Sequence, residues 1–115
     1  MSDVRVACVV VPHFLVEVER LHDPSLDGRP VVVGGASEDR KEVLDCSPEA
    51  MARGVRPGMP LREALSRCAD AAFVEAHPEW YRAATLAMVT ALGQISPLVE
   101  PAEPGVIYVG VDGQW

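Results

Sequence analysis

The chain has 115 residues, of which 49% are apolar, and a formal net charge of -7. This composition argues against disorder, and the negative charge argues against a broad basic surface for phosphates. The three cysteines form no CxxC pair, which argues against a zinc site or a disulfide framework. Without a long apolar run or a cleavable leader, we expect a cytoplasmic protein that does not contact a membrane.

The first predicted elements are a buried strand and a helix. Val4 to Val11 is almost wholly apolar, and Val11 precedes a proline, which favours an extended backbone. Pro12 fits the first position of a helix, where its missing N–H costs nothing. Apolar residues at helical spacing predict the buried face of this helix: Phe14, Leu15, Val18 and Leu21. Charged residues are expected on its outer face: Glu17, Glu19 and Arg20.

A second strand and a short helix follow a turn-rich connection over residues 23–28. Residues 30–33 and 42–44 have extended patterns on either side of a polar loop, so we expect them to pair as a hairpin. Ser47 is the predicted N-cap of the helix, with Pro48 at its first position and an end near Gly54.

The second half of the chain alternates helices and strands. Pro57 and Gly58 predict a type II turn before a short helix that begins near Leu61. A short strand over residues 73–76 precedes the longest helix, from Pro78 to about Leu92. Two strands, at 98–100 and 106–109, complete an α+β pattern with no internal repeat. Because the sequence stops directly after a strand, we expect the chain to be truncated from a longer protein.

Several motifs in order resemble the opening of the Y-family translesion DNA polymerases, the DinB/UmuC-like enzymes. They are DPSLDGRPVVVGG from Asp23, SPEA from Ser47, GVRPGMPL from Gly54, and VEP from Val99. The resemblance covers almost the whole chain. It implies a partial, ferredoxin-like palm, a mixed sheet with packed helices, interrupted by a small α/β fingers subdomain. The implied palm covers residues 1–12 and 75–115, and the implied fingers cover residues 13–74.

The resemblance also implies which positions should carry the chemistry. Active members hold two magnesium ions, which prefer oxygen ligands and clamp the attacking and leaving oxygens. The acids that serve as ligands align with Val10, Pro12, Gly105 and Val106. We therefore expect no metal site, no catalytic residue and no enzyme activity. Other acids, Asp112 and Glu103 near the hairpin and Asp45 in the fingers, do not replace the group at the end of the first strand.

The nucleotide-binding positions of the family differ here as well. A tyrosine and an arginine that hold the triphosphate align with Pro48 and Met51, and a polar neighbour aligns with Asp45. Methionine offers neither the charge nor the planar fork of arginine. The aromatic guard against ribonucleotides aligns with Leu15. We expect no bound cofactor, and we expect weak DNA contacts of this part of the chain at Gly58, Arg53 and Arg56.

These patterns predict a catalytically inactive Y-family homologue, similar to the ImuB-type proteins of SOS mutasomes. Such an adaptor would link a sliding clamp, an ImuA-type protein and an error-prone replicative polymerase at damaged DNA. Two alternatives remain. The chain belongs to an active translesion polymerase with rearranged metal ligands, or it is an α+β interaction module outside polymerase biology.

Overall fold

The computed structural model describes residues 5–35 and 41–111. Six strands and four α-helices form in this part of the chain, and a 3₁₀ turn, Pro24–Leu26, follows the first helix. In chain order they are β1 (Arg5–Val10), α1 (Phe14–His22), β2 (Val31–Val33), β3 (Asp45–Cys46), α2 (Pro48–Met51), α3 (Leu61–Arg67), β4 (Ala72–Val74), α4 (Pro78–Gly93), β5 (Val99–Glu103) and β6 (Val106–Val111). The predicted α+β class is confirmed.

The chain divides into two compact units. Unit 1 combines residues 1–12 with residues 78–115, and unit 2 is the continuous stretch 13–77. Each unit contains one three-stranded sheet, in the order β1-β6-β5 in unit 1 and β3-β2-β4 in unit 2. The sheet of unit 1 therefore joins strands from opposite ends of the chain.

The sheet of unit 1 is antiparallel throughout. β1 pairs with β6 over its full length, and β5 pairs with β6 as the predicted hairpin. Ile107 and Val109 are buried on one face of the sheet, and α4 packs against β5. Of the α4 residues only Tyr81 is fully buried, so the helix leaves much of its surface open. On the opposite face of the sheet Val6, Val10 and Tyr108 are exposed.

The sheet of unit 2 lies against a dense apolar core. β2 is antiparallel to β3 and parallel to β4, which is the arrangement of a crossover connection. The following core residues are buried and in mutual contact: Val32, Val43, Cys46, Ala50, Val55, Leu61, Ala64 and Cys68. They come from β2, β3, α2, α3 and the loops between them, so the core closes within this unit.

The hairpin of unit 2 differs in register from the prediction. Residues 45–46, not 42–44, form the strand that pairs with β2. Val43 instead exchanges backbone hydrogen bonds with the turn before α3, donating to Met59 and accepting from Gly58. These contacts hold Val43 against that turn, and the pairing with β2 begins at Leu44, whose N–H donates to the carbonyl oxygen of Val33 at 2.9 Å.

The first helix begins two residues later than predicted and buries a different face. His13 adopts a left-handed conformation with φ of 56°, which ends the extended chain before the helix begins at Phe14. Leu21, expected inside, is 79% exposed, whereas Glu19, expected outside, is 2% exposed. The Nδ1 atom of His77 lies 2.8 Å from the Glu19 carboxylate, and this contact offsets the cost of burying it. The helical pattern does not reveal this partner.

Candidate functional site

The end of β1 and the β5–β6 hairpin form one corner of unit 1. Val10 pairs with Val106 across the sheet, and the N–H of Val11 donates to the carbonyl oxygen of Gly105 at 2.7 Å. Gly105 has φ of 84°, a conformation that glycine tolerates and that the turn between β5 and β6 requires. Pro12 follows in the chain. The structure thus brings together Val10, Gly105 and Val106, three of the positions aligned with the metal ligands of the family.

The side chains at this corner do not fit a two-magnesium centre. Magnesium requires oxygen ligands, and Val10, Pro12, Gly105 and Val106 have none on their side chains. Within residues 5–35 and 41–111, no three His, Cys, Asp or Glu side chains are placed to hold a metal ion. Any functional carboxylate must therefore come from another position.

Glu103 is the acid that the fold places beside this corner. It pairs with Val106 in the hairpin, and Val106 pairs in turn with Val10. The pairing register shifts between Pro101 and Glu103, which interrupts the regular alternation of faces, and Glu103 lies two strands, or about 10 Å, from Val10. Glu103 is exposed, so its carboxylate is accessible. Asp112, the other candidate near the hairpin, lies outside the described residues, as does Asp3.

The position of Asp45 in unit 2 is explained by local structure. One carboxylate oxygen accepts from the N–H of Val16 at 3.2 Å, and the other accepts from the N–H of Cys46 at 2.9 Å. Val16 is in the first turn of α1, whose preceding residue, His13, makes no side-chain cap. Asp45 therefore caps α1 from β3, and its negative charge suits the positive end of the helix dipole.

The other positions that align with nucleotide-binding residues of the family lie on α1 and α2. Pro48 and Met51 are the first and last residues of α2, one turn apart and therefore on the same side of the helix. The predicted N-cap is confirmed, because the Ser47 hydroxyl accepts from the N–H of Ala50 at 3.3 Å and also from that of Val31 at 2.8 Å. Leu15 is a half-buried residue of α1. These side chains offer no charge to a phosphate.

The two arginines expected to contact DNA are engaged within unit 2. Arg53 forms two hydrogen bonds with the Asp70 carboxylate, at 3.1 and 3.4 Å. The pKa of Asp70 is lowered, first by a hydrogen bond from its own backbone N–H and then by the charge of Arg53. Arg56 donates to the carbonyl oxygens of Met51 and Val55, both at 2.8 Å. Their role in DNA binding stays a prediction.

Gly58, the third residue expected to contact DNA, lies in an exposed turn. Its φ is 93°, and a Cβ atom added to it would meet nothing within 4 Å. The N–H of Met59 donates to the carbonyl oxygen of Arg56 at 3.3 Å, as a β-turn across Pro57 and Gly58 requires. The glycine is therefore explained by the turn, and its surface is open.

A charged network around Arg20 was not evident from the sequence. Its side chain is only 12% exposed and pairs with Glu49 at 3.0 Å. It also donates to the carbonyl oxygens of Leu26 and Arg29. The pKa of Glu49 is lowered, mainly by a hydrogen bond from its own backbone N–H and next by Arg20. Arg20 thus ties α1 to the following 3₁₀ turn and to α2, although the helical pattern placed it on the solvent side.

Among the described residues, no helix has both the length and the apolar character needed to cross a membrane.

Comparisons with known proteins identify the family of the chain. The impB/mucB/samB family model matches residues 9–115. The chain is 45% identical over 95 residues to DNA polymerase IV 2 of Mycobacterium tuberculosis, covering 80% of this chain and 28% of that protein. It is 37% identical over 113 residues to DNA polymerase IV of Dehalococcoides mccartyi, covering 98% of this chain and 29% of that protein.

Solved structures agree with these relatives. A Y-family DNA polymerase chimera superposes with a TM-score of 0.84 at 26% identity, over 90% of this chain and 31% of that one. DinB from Sulfolobus solfataricus superposes with a TM-score of 0.83 at 27% identity, over 90% of this chain and 30% of that one. The chain therefore spans less than a third of the length of these proteins.

These findings overturn one expectation. The sequence indicated a non-enzyme, because acids are missing at four aligned positions and the tyrosine and arginine that hold the triphosphate are missing at two more. However, the relatives, 37% and 45% identical along most of the chain, are named DNA polymerase IV. The expectation of a pseudo-polymerase was wrong because it rested on a few aligned positions, whereas the similarity to proteins named as DNA polymerases extends along most of the chain.

Proposed function

The chain belongs to the impB/mucB/samB family of Y-family DNA polymerases, and we propose that it is the palm and fingers part of a DNA polymerase of translesion synthesis. The proposal takes unit 1 as part of the palm and unit 2 as the fingers. The observation that carries it is the 45% identity to a protein named DNA polymerase IV 2, across both units.

The carboxylate that we propose for catalysis is Glu103. It is exposed in β5, paired with Val106 beside the end of β1. Asp112 follows β6 in the chain and is the second candidate. Asp45 is a poorer candidate, since both of its oxygens accept hydrogen bonds from backbone N–H groups. The proposal is therefore an active polymerase in which Glu103 and Asp112 replace the acids that are missing from the aligned positions.

DNA is the proposed substrate, and unit 2 by itself is expected to hold it weakly. The net charge of the chain is -7, and Arg53 and Arg56 already bond to Asp70 and to backbone carbonyls. Phosphate contacts dominate the affinity for DNA and make it sensitive to salt. Most of the affinity for DNA is expected to come from parts of the longer protein beyond this chain.

A primer-extension assay on the natural full-length protein tests the proposal. We expect template-directed incorporation with magnesium or manganese, and a loss of about 100-fold or more in Glu103→Gln or Asp112→Asn, the scale expected when a charge-stabilising group is removed. Glu79→Gln is the matched control, because Glu79 lies in the first turn of α4 and has no proposed role. No incorporation, or full activity in both hairpin variants, would refute the proposal.

A linking role at damaged DNA is a second candidate function. Val6, Val10 and Tyr108 are 63%, 56% and 44% exposed on one face of the unit 1 sheet, and exposed apolar patches often mark protein interaction sites. The partners to test are a sliding clamp, an ImuA-type protein and an error-prone replicative polymerase. Binding of any of them that Val6→Asp abolishes would support this role, and unchanged binding in that variant would exclude this face.

A further inference from the structure

A groove of about 510 Å³ lies between α4 and the β5–β6 hairpin in unit 1. Its lining is mostly apolar, from Tyr81, Leu86 and Val89 on the helix and from Pro101 and Pro104 on the hairpin. Leu86 is 66% exposed and lines the groove together with other apolar side chains, and a contiguous exposed apolar patch often marks an interaction site. The groove is separate from the sheet face that carries Val10.

The edge of the sheet at this groove does not suit an added strand. β5 is at the edge of the sheet among the described strands, so an incoming strand could in principle pair with it. However, Pro101 has no N–H to donate, and the pairing register shifts between Pro101 and Glu103. Both features interrupt the ladder that strand addition needs. The groove is therefore better suited to side chains from a helix that lies along α4.

Two charges of opposite sign flank the apolar lining. Arg82 lies on the α4 side of the groove and Glu103 lies on the hairpin side. Both residues are exposed. A helix docked between them would place acidic residues toward Arg82 and basic residues toward Glu103. Since the chain as a whole carries a net charge of -7, a segment with an excess of basic residues would be attracted.

We propose that this groove binds an amphipathic helix of a partner protein, with an apolar face, an acidic flank toward α4 and a basic flank toward the hairpin. Such a helix inserts apolar side chains at intervals of three and four residues, as in other helix-in-groove complexes. Leu86 and Val89 are three residues apart on α4 and present one continuous apolar strip to it. The two flanking charges fix its orientation.

Binding of a synthetic peptide tests the proposal. The probe is a labelled peptide of about 18 residues with a leucine face, glutamates on one flank and a larger number of lysines on the other. We expect saturable binding in fluorescence anisotropy and a loss of about tenfold or more in Leu86→Asp, because an apolar anchor is replaced by a charge. Ile95→Asp is the matched control, since Ile95 is 79% exposed outside the groove.

A charge reversal tests the predicted orientation. Arg82→Glu should weaken binding of the peptide that carries the glutamate flank. Replacing those glutamates by lysines should restore binding to this variant. Equal effects of Leu86→Asp and Ile95→Asp, or no binding to the unaltered protein, would overturn the proposal. Self-association that Leu86→Asp abolishes would also overturn it, because a second copy would then occupy the groove.

Discussion

Unit 2 and unit 1 distribute their apolar residues in opposite ways. Of the largest fully buried side chains among the described residues, only Ile107 belongs to unit 1, and the others, led by Leu61, belong to unit 2. Most of the exposed large apolar residues belong to unit 1: Val6, Val10, Leu86, Ile95, Leu98 and Tyr108. Unit 2 therefore closes its own core, whereas unit 1 leaves large apolar side chains exposed among the described residues. This difference explains why both proposed interaction surfaces lie in unit 1.

Truncating one leucine in each unit gives the largest expected contrast. Leu61 is 0% exposed and Leu86 is 66% exposed. Leu61→Ala should lower the free energy of unfolding by about 3 kcal/mol, because it removes buried contacts and leaves a cavity. Leu86→Ala should change it by less than about 0.5 kcal/mol. Urea denaturation measures both values, and similar losses in the two variants would contradict the contrast between the units.

The reactivity of the cysteines should show the same contrast between the exposed residues of unit 1 and the buried residues of unit 2. Cys8 in β1 is exposed, whereas Cys46 and Cys68 are buried in unit 2. Burial, helped by the charge of Asp45, raises the pKa of the Cys46 thiol to about 11. Since the thiolate is the reactive form, Cys8 should react with a thiol reagent about 100-fold faster than Cys46 in the folded protein.

Stopped-flow absorbance with an aromatic disulfide reagent measures these rates, and the Cys8→Ser variant assigns the fast phase. In denaturant, three thiols should react rapidly, because three cysteines are then exposed. A fast phase that persists in Cys8→Ser would show that the core of unit 2 opens readily.

Local patterns in the sequence were enough to predict most elements, and distant partners account for the errors. The β5–β6 hairpin, the Ser47 cap and the start of α4 at Pro78 each depend on neighbouring residues, and each is confirmed. The burial of Glu19 depends on His77, which lies 58 residues away. A single sequence without an alignment carries no signal for such a pair.

In the candidate site, too, contacts between distant residues could not be predicted from the sequence. Resemblance to a family could place Val10 and Val106 at equivalent positions, and the sheet does bring them together. It could not reveal that Asp45 caps α1 through Val16, because the two residues are 29 positions apart. Nor could it reveal the shift in pairing register between Pro101 and Glu103 in the hairpin. The hypothesis of a pseudoenzyme failed on a different point, because relatives that match most of the chain are named as DNA polymerases.

The smallest expected effect concerns the Arg20–Glu49 pair, which has no counterpart described in unit 1. The pKa of Glu49 in the folded protein is lowered from its ordinary value of 4.5. A carboxyl group with a lowered folded pKa stabilises the protein above its unfolded pKa, and this stability is lost as the pH falls through the folded value. Because the Glu49 side chain is 38% exposed, solvent screening limits the contribution to less than about 1 kcal/mol.

Glu49→Gln should therefore lower the free energy of unfolding slightly at pH 7 and have no such effect at a pH well below 4.5, where Glu49 is protonated in both states. Urea denaturation of the two proteins over this pH range measures the difference. Glu79→Gln in α4 of unit 1 is the matched control, because no ion pair of Glu79 is described. If both variants lose the same stability at pH 7, the Arg20–Glu49 pair does not contribute to the stability of unit 2. The stability of unit 2 would then rest on apolar burial alone.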